Sequence, residues 1–575
     1  MASFSKPVRP SATGRGDLLD RLRRDTFDIV VVGGGITGAG IARDAAMRGL
    51  SVALLEQGDF AYGTSGRSSR LIHGGLRYLR HRQIRLVREA LRERGHLLRL
   101  APHLVRPFPF LLPIFDDSRD SPMHIRLGLV GYDLLAGTLG LGRHHAISAQ
   151  ALARSEPQLR KQGLRSGFSY PEALTDDARL TLTVALSAVG QGAAALNYVE
   201  ATGLEKTTGR VAGVQYRDVI GGEEGTVRGH TVVSAAGPWT DQVRALAGES
   251  RILRPTKGIH VVVPRARLAT NAIVPIGSGD RMLFAVPHGR HTYIGTTDTD
   301  YAGEPGEATA DLDDVAYVLD ATNSAFEVDL RLSDVVATWA GVRPLLQMEG
   351  APSDVARDYI ITAGPPGLVT ITGGKLTTFR SMAEHLLDYV VEREGDRLST
   401  RGAACRTHTE PLPGGAIPNL AQYERWVLPR LQEAWDLPDD AARRLVQVHG
   451  TEHTQVLACA EGYPELLEPL APGCPVLGVD VQYAAQHEMA LTLEDVLRRR
   501  TDLMLFGSDG CEEATAKAAE VLAKALGWSR EETERQLANY RATVDRMFAF
   551  RRGAVAGDTD QAGGSPAVLR GSDFA

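Results

Sequence analysis

Phe27–Leu79 reads FDIVVVGGGITGAGIARDAAMRGLSVALLEQGDFAYGTSGRSSRLIHGGLRYL. Asp28–Val32 is a short β-branched apolar run, the pattern of a buried strand. Gly33-x-Gly35-x-x-Gly38 follows at once, and Ile36 to Gly49 then has helical spacing with Gly49 as its stop. Ser51–Leu55 predicts a second buried strand, ending on Glu56, 23 residues after Gly33. This strand–glycine–helix–strand order is the βαβ dinucleotide fingerprint. The glycines permit a tight turn, close approach of backbone to pyrophosphate, and packing of helix on strand. The helix N-terminus favours the pyrophosphate charge, and Glu56 can accept hydrogen bonds from ribose hydroxyls.

The fingerprint alone does not choose between FAD and NAD. The next segment does. Gly63-Thr64-Ser65-Gly66-Arg67-Ser68-Ser69-Arg70-Leu71-Ile72-His73-Gly74-Gly75-Leu76-Arg77-Tyr78 is rich in hydroxyls and leads to a glycine pair, which suits a second close approach to a long cofactor. Thr64–Leu79 resembles the FAD-dependent glycerol-3-phosphate dehydrogenase family, the quinone-linked, aerobic enzymes. Further motifs of that family stand at DDARL (176–180), KGIHVVV (257–263), GVRPL (341–345) and ARDY (356–359).

The resemblance implies an α/β fold: a Rossmann-like FAD-binding domain of the glutathione-reductase/D-amino-acid-oxidase type, an antiparallel β-sheet substrate domain, and a C-terminal helical domain. With the pattern of the chain it sets expected boundaries. Residues 1–25 are a flexible extension. Residues 26–100, 165–250 and 352–395 form the FAD domain. Residues 101–164 and 251–351 form the cap, 400–552 the helical domain, and 553–575 a flexible tail. The length of 575 residues is too great for one core. Arg77 to Leu100 reads as one arginine-rich helix, either a solvated surface or an interfacial contact with anionic lipid. Met123–Leu141 predicts another helix, and Leu312–Phe326 a third.

The implied reaction removes a hydride from C2 of sn-glycerol 3-phosphate to flavin N5 and a proton from its hydroxyl, giving dihydroxyacetone phosphate. Such a site needs cations for a dianionic phosphate, a base, and positive charge near the reduced flavin. Arg343 and Arg357 match family motifs, and a guanidinium can hold phosphate bidentately. Arg77 and Tyr78 follow the His73-Gly74-Gly75 turn and are expected substrate contacts. Lys375 opens a helix after two glycines and is expected near flavin and substrate. His260 is the favoured base and His73 the alternative, since imidazole titrates near neutral pH. Thr297, with Asp298, is expected to shape the pocket or to orient a base. The expected FAD contacts are Gly33, Gly35, Gly38, Glu56, Thr64, Ser65, Ser68, Ser69, His73, Gly74, Gly237, Gly374, Lys375, Leu376 and Thr377.

Composition limits the rest. The net charge is −6, so no global field argues for nucleic acid. The four cysteines form no CxxC pair, so neither a metal site nor a redox dithiol is indicated. Few cysteines and no signal sequence suggest a cytoplasmic protein. The nearest membrane-span candidate, Leu127–Leu141, is too short and carries Asp133. Any membrane contact is then peripheral, at the inner face of the cell membrane, with a membrane quinone as acceptor and a homodimer as one compatible assembly. A glycerol-3-phosphate oxidase that returns electrons to oxygen, and a flavin-binding sensor without catalysis, are the competing readings.

Overall fold

The computed structural model describes residues 14–80, 83–118, 120–277, 282–347, 359–400, 402–507 and 511–551. Its centre is the strand Thr26–Val32, whose last six side chains are buried. An apolar run buried on both faces belongs inside a parallel sheet. It pairs in parallel with Val52–Leu55 on one side and with Glu224–Ser234 on the other. The sheet runs Tyr359–Ala363, Leu368–Gly373, Glu224–Ser234, Thr26–Val32, Val52–Leu55, Ala194–Leu196. An antiparallel pair, Val199–Thr207 and Arg210–Asp218, joins it through Glu224–Ser234. The fingerprint helix Ile36–Met47 packs on Phe379–Glu394. They touch so closely that a Cβ on Gly40 would lie 2.8 Å from the Phe379 ring.

A second, six-stranded antiparallel sheet runs Val274–Ile276, Leu283–His288, His291–Gly295, Leu253–Pro264, Thr299–Asp300, with Ala337–Leu346 also paired to Leu253–Pro264. The helix Leu312–Ala325 packs against it, starting at an Asp311 capping box. A third sheet of four strands contains Leu71–Ile72, Leu164–Thr175, Val105–Phe115 and His145–Ser148. Here the structure departs from the expected domain limits. Leu164–Thr175 pairs along its length with Val105–Phe115, so the expected boundary at 164/165 runs through one sheet.

Two further expectations are corrected. Arg15–Arg24 is a packed helix and not part of a flexible extension. Leu18 and Leu22, four apart, bury one stripe, and buried Arg15 donates to Asp218 at 2.5 Å and to the Asn197 carbonyl at 2.7 Å. Residues 1–13 and the expected tail, 553–575, lie outside the described residues. The predicted single helix from Arg77 to Leu100 is two, Arg77–Arg80 and Ile84–Leu100. The longer one is not simply a solvated face, because Arg94 is buried on Glu172 and Glu93 on Arg380. Among the described residues no helix is long and apolar enough to cross a membrane.

The C-terminal region contributes Leu420–Trp435, Asp439–His449, Gly478–His487, Glu512–Leu526 and Arg530–Met547. Its π-helical turn Asp495–Arg500 reaches back to the cofactor loop. Buried Asp59, three residues beyond Glu56, accepts from Arg499 at 2.6 Å, from Arg500, and from Asn197 at 3.0 Å. Asp59→Asn keeps the shape but removes the charge between two buried guanidinium groups. We expect it to cost about 2–3 kcal/mol of stability, read as a lower thermal midpoint.

Candidate active site

The fingerprint turn is built around close contacts that only glycine allows. Gly33 has φ +111°, and a Cβ there would lie 2.5 Å from the Ala235 carbonyl oxygen. A Cβ on Gly38 would lie 1.8 Å from the Gly33 carbonyl oxygen. Glu56, at the end of the second strand, accepts from the amides of Gly34 at 2.6 Å and Gly58 at 2.9 Å. Burial pushes its carboxyl up to about 7, although both amides pull the other way. Ser65 Oγ accepts from the Ile36 amide at 2.9 Å, in the first turn of the fingerprint helix. Gly33, Gly35, Glu56, Thr64, Ser65 and Gly237 line a cleft of about 470 Å³ that ends at Gly374-Lys375-Leu376.

Thr64, Ser68, Lys375 and Leu376 also line a second, larger cavity of about 820 Å³. It occupies the seam between the fingerprint sheet and the six-stranded sheet. Ser69, His73, Tyr78, His260, Thr297, Arg343 and Thr377 are on its wall. The sequence candidates thus meet in one elongated space. Four are exceptions. Gly38 and Gly74 act from behind, through packing, and a Cβ on Gly74 would strike Leu91 and Tyr132. Arg357 lies outside the described residues. Only the backbone of Arg77 is described, where it opens its short helix.

Several polar groups on the wall are held in place. Arg343 donates through Nη1 to the Thr297 carbonyl and to Asp298, both at 3.0 Å, and through Nη2 to Thr296 at 3.1 Å. Gly258 makes room for it, since a Cβ there would lie 2.7 Å from Nη2. Thr297 Oγ1 accepts from the Ile259 amide at 3.1 Å. Lys375 Nζ sits 3.6 Å from the centre of the Tyr78 ring, a cation–π contact. The turn before it needs glycine twice, with φ +84° at Gly373 and +81° at Gly374. Thr377 Oγ1 accepts from the His73 amide at 3.3 Å, tying this turn to the LIHGG segment.

His260 is 1% exposed and stacks on Trp339 at 4.5 Å with an 11° interplanar angle. Its Nε2 meets Ser69 Oγ at 2.8 Å, while Nδ1 is buried with no hydrogen-bond partner among the described residues. Burial, then the cations Arg343 and Arg70, hold its pKa well below the usual 6.5. The ring is therefore neutral at pH 7.

Sequence reasoning missed the support behind this wall. Arg70 (φ +58°) makes a bidentate pair with Asp502 at 2.6 and 2.8 Å and lies over the Trp339 and Phe506 rings. The one available signal was the run Arg498-Arg499-Arg500-Thr501-Asp502 between apolar segments, too charged for a buried turn unless it is paired.

The family model for FAD dependent oxidoreductases matches residues 28–380, and that for the C-terminal domain of alpha-glycerophosphate oxidase matches residues 405–533. An aerobic glycerol-3-phosphate dehydrogenase of Staphylococcus haemolyticus is 36% identical over 531 residues, covering 90% of this chain and 94% of its own. The chain belongs to the FAD-dependent aerobic glycerol-3-phosphate dehydrogenase family. Glycerol-3-phosphate dehydrogenase 2 of Mycobacterium bovis is 38% identical over 534 residues, covering 91% of this chain and 89% of its own. The solved glycerol-3-phosphate dehydrogenase from Bacillus halodurans, complexed with FAD, matches with a TM-score of 0.77 at 31% identity over 94% of this chain and 99% of that one.

Membership in this dehydrogenase family makes FAD the cofactor, and the residues fit it. The cradle leaves no room for a Cβ at Gly33 or Gly38, an acid closes the second strand, and the cleft continues into the larger cavity. Gly38→Ala should leave a folded protein that purifies with at least about tenfold less flavin, because the Cβ cannot be placed without moving the Gly33 turn. The absorbance ratio of flavin to protein measures this.

Proposed function

We propose that this protein oxidises sn-glycerol 3-phosphate to dihydroxyacetone phosphate and passes the electrons to a membrane quinone, bound peripherally at the inner face of the cell membrane. The observation that carries the reading is that Arg343, Lys375 and His260, from three distant stretches of chain, line one cavity continuous with the fingerprint cleft.

FAD supplies the hydride acceptor, flavin N5, for the hydrogen on substrate C2. The protein does the rest. Arg343, fixed by Asp298, Thr296 and the Thr297 carbonyl, presents a pre-oriented guanidinium to the phosphate, with Arg357 and Arg77 as further proposed cations. Lys375, braced on Tyr78, supplies positive charge at the junction of the two cavities. His260 is neutral at physiological pH, so it can take the proton from the C2 hydroxyl. The Ser69 hydroxyl, 2.8 Å from Nε2, is the contact through which that proton reaches the ring.

The C-terminal match to an alpha-glycerophosphate oxidase domain favours a second reading, in which oxygen is the acceptor. One experiment tests both. Anaerobic addition of sn-glycerol 3-phosphate should bleach the visible flavin band. Adding quinone should restore it within turnover time, and oxygen should do so only slowly. Fast reoxidation by oxygen with stoichiometric peroxide selects the oxidase. A band that does not bleach overturns the substrate assignment.

A further inference from the structure

The helix Pro122–Ala136 carries its apolar residues on two sides. Leu129 and Tyr132 face inward and are buried in the core against neighbouring elements. Met123, Leu127, Val130 and Leu134 face outward, 72, 70, 40 and 77% exposed. At 100° per residue these four fall within an arc of about 60°, along roughly 16 Å of helix. They are four of the eleven large apolar side chains exposed among the described residues, so the stripe is a concentration and not scatter. A helix resting against a protein on one side and water on the other would carry polar residues at these positions.

The surrounding charge is cationic. Arg126 flanks the stripe on the same helix and is exposed. The neighbouring helix Ile84–Leu100 packs against this one and begins with Ile84, 55% exposed, followed by exposed Arg85 and Arg88. Three nearby carboxylates are engaged within the protein: Asp133 pairs with His144 at 2.7 Å, Asp117 with Arg160 at 3.2 Å, and Asp116 with Arg165. The inner side of the same helix turn, at Ile125 and Gly128, lines the large cavity that also holds Lys375 and Tyr78.

We infer that the outer face of Pro122–Ala136, with the first turn of Ile84–Leu100, seats in the headgroup layer of an anionic bilayer. The apolar stripe enters the acyl boundary, and Arg85, Arg88 and Arg126 meet lipid phosphates. The inference rests on the peripheral membrane reading above and adds the surface. It puts the cavity one helix away from the bilayer, so a lipid-soluble acceptor need not cross bulk water.

The test uses full-length, FAD-loaded enzyme and the double variant Leu127→Gln/Leu134→Gln, sedimented with phosphatidylglycerol/phosphatidylcholine vesicles or phosphatidylcholine vesicles alone. Turnover with a water-soluble dye, unchanged in the variant, establishes that it is folded. The expected result is wild-type binding to the anionic vesicles and at least about tenfold weaker binding by the variant. Equal binding of wild type and variant overturns the surface while leaving the membrane reading intact. No binding by either overturns both. Equally tight binding to neutral vesicles overturns the charge argument. A wild-type dimer that the variant breaks, seen by light scattering, identifies the face as a contact between copies and also overturns the inference.

Discussion

Replacing Arg343 by alanine is expected to lower kcat/KM for sn-glycerol 3-phosphate about 10²- to 10⁴-fold. Two charge-assisted hydrogen bonds to a phosphate contribute about 1.5–3 kcal/mol each, and every 1.4 kcal/mol is tenfold. The substitution also removes the ion pair between Arg343 and Asp298 on the wall of the proposed phosphate site. The two effects separate in a double-mutant cycle. Arg343→Ala/Asp298→Asn also removes the carboxylate charge beside the proposed phosphate position and should recover part of the loss. The remainder measures the guanidinium's contact with phosphate. If Arg343→Ala left kcat/KM unchanged, the phosphate assignment would be wrong.

The second large effect belongs to His260. His260→Asn should lower kcat about 10²- to 10⁴-fold, the usual worth of a positioned base. The pH profile carries more information than the rate. Burial and two nearby cations disfavour the imidazolium, so the folded pKa lies well below 6.5. In the proposed mechanism neutral imidazole is the active form. The acid limb of kcat/KM should therefore fall well below pH 6.5 in the wild type and disappear in His260→Asn. The two predictions are linked: removing the Arg343 charge makes protonation of His260 easier, so Arg343→Ala should move the acid limb to higher pH. A limb that stays fixed in that variant would assign it to another group.

The sequence revealed those parts of the site whose logic is local. Strand, glycine turn, helix and terminal acid follow one another within Asp28–Glu56, so the order of residue types is itself the geometry. The same holds for Leu368–Gly373, the two left-handed glycines and Lys375. What stayed hidden depends on residues far apart in the chain. The stacking of His260 on Trp339, its contact with Ser69, and the grip of Asp502 on Arg70 join positions whose neighbours in sequence give no hint of each other. Composition misled at the N-terminus. Arg15–Arg24 is polar on average, and its three buried leucines show only when the spacing is followed. In Ile84–Leu100 the arginines look alike as letters, yet Arg94 is an interior ion pair and Arg88 is a surface charge.

The clasp between Asp59 and the Arg499–Arg500 pair has a consequence for how the protein comes into being. About 440 residues separate its partners. A ribosome adding roughly 5–20 residues per second needs about 20–90 s to cover that distance. Throughout that interval the nascent flavin loop holds an acidic side chain destined for burial, with its counter-charges not yet synthesised. The cofactor cradle, first to be written in the chain, is among the last parts that can be completed, and an early stop codon anywhere before Arg499 would damage the amino-terminal half as surely as the carboxy-terminal one.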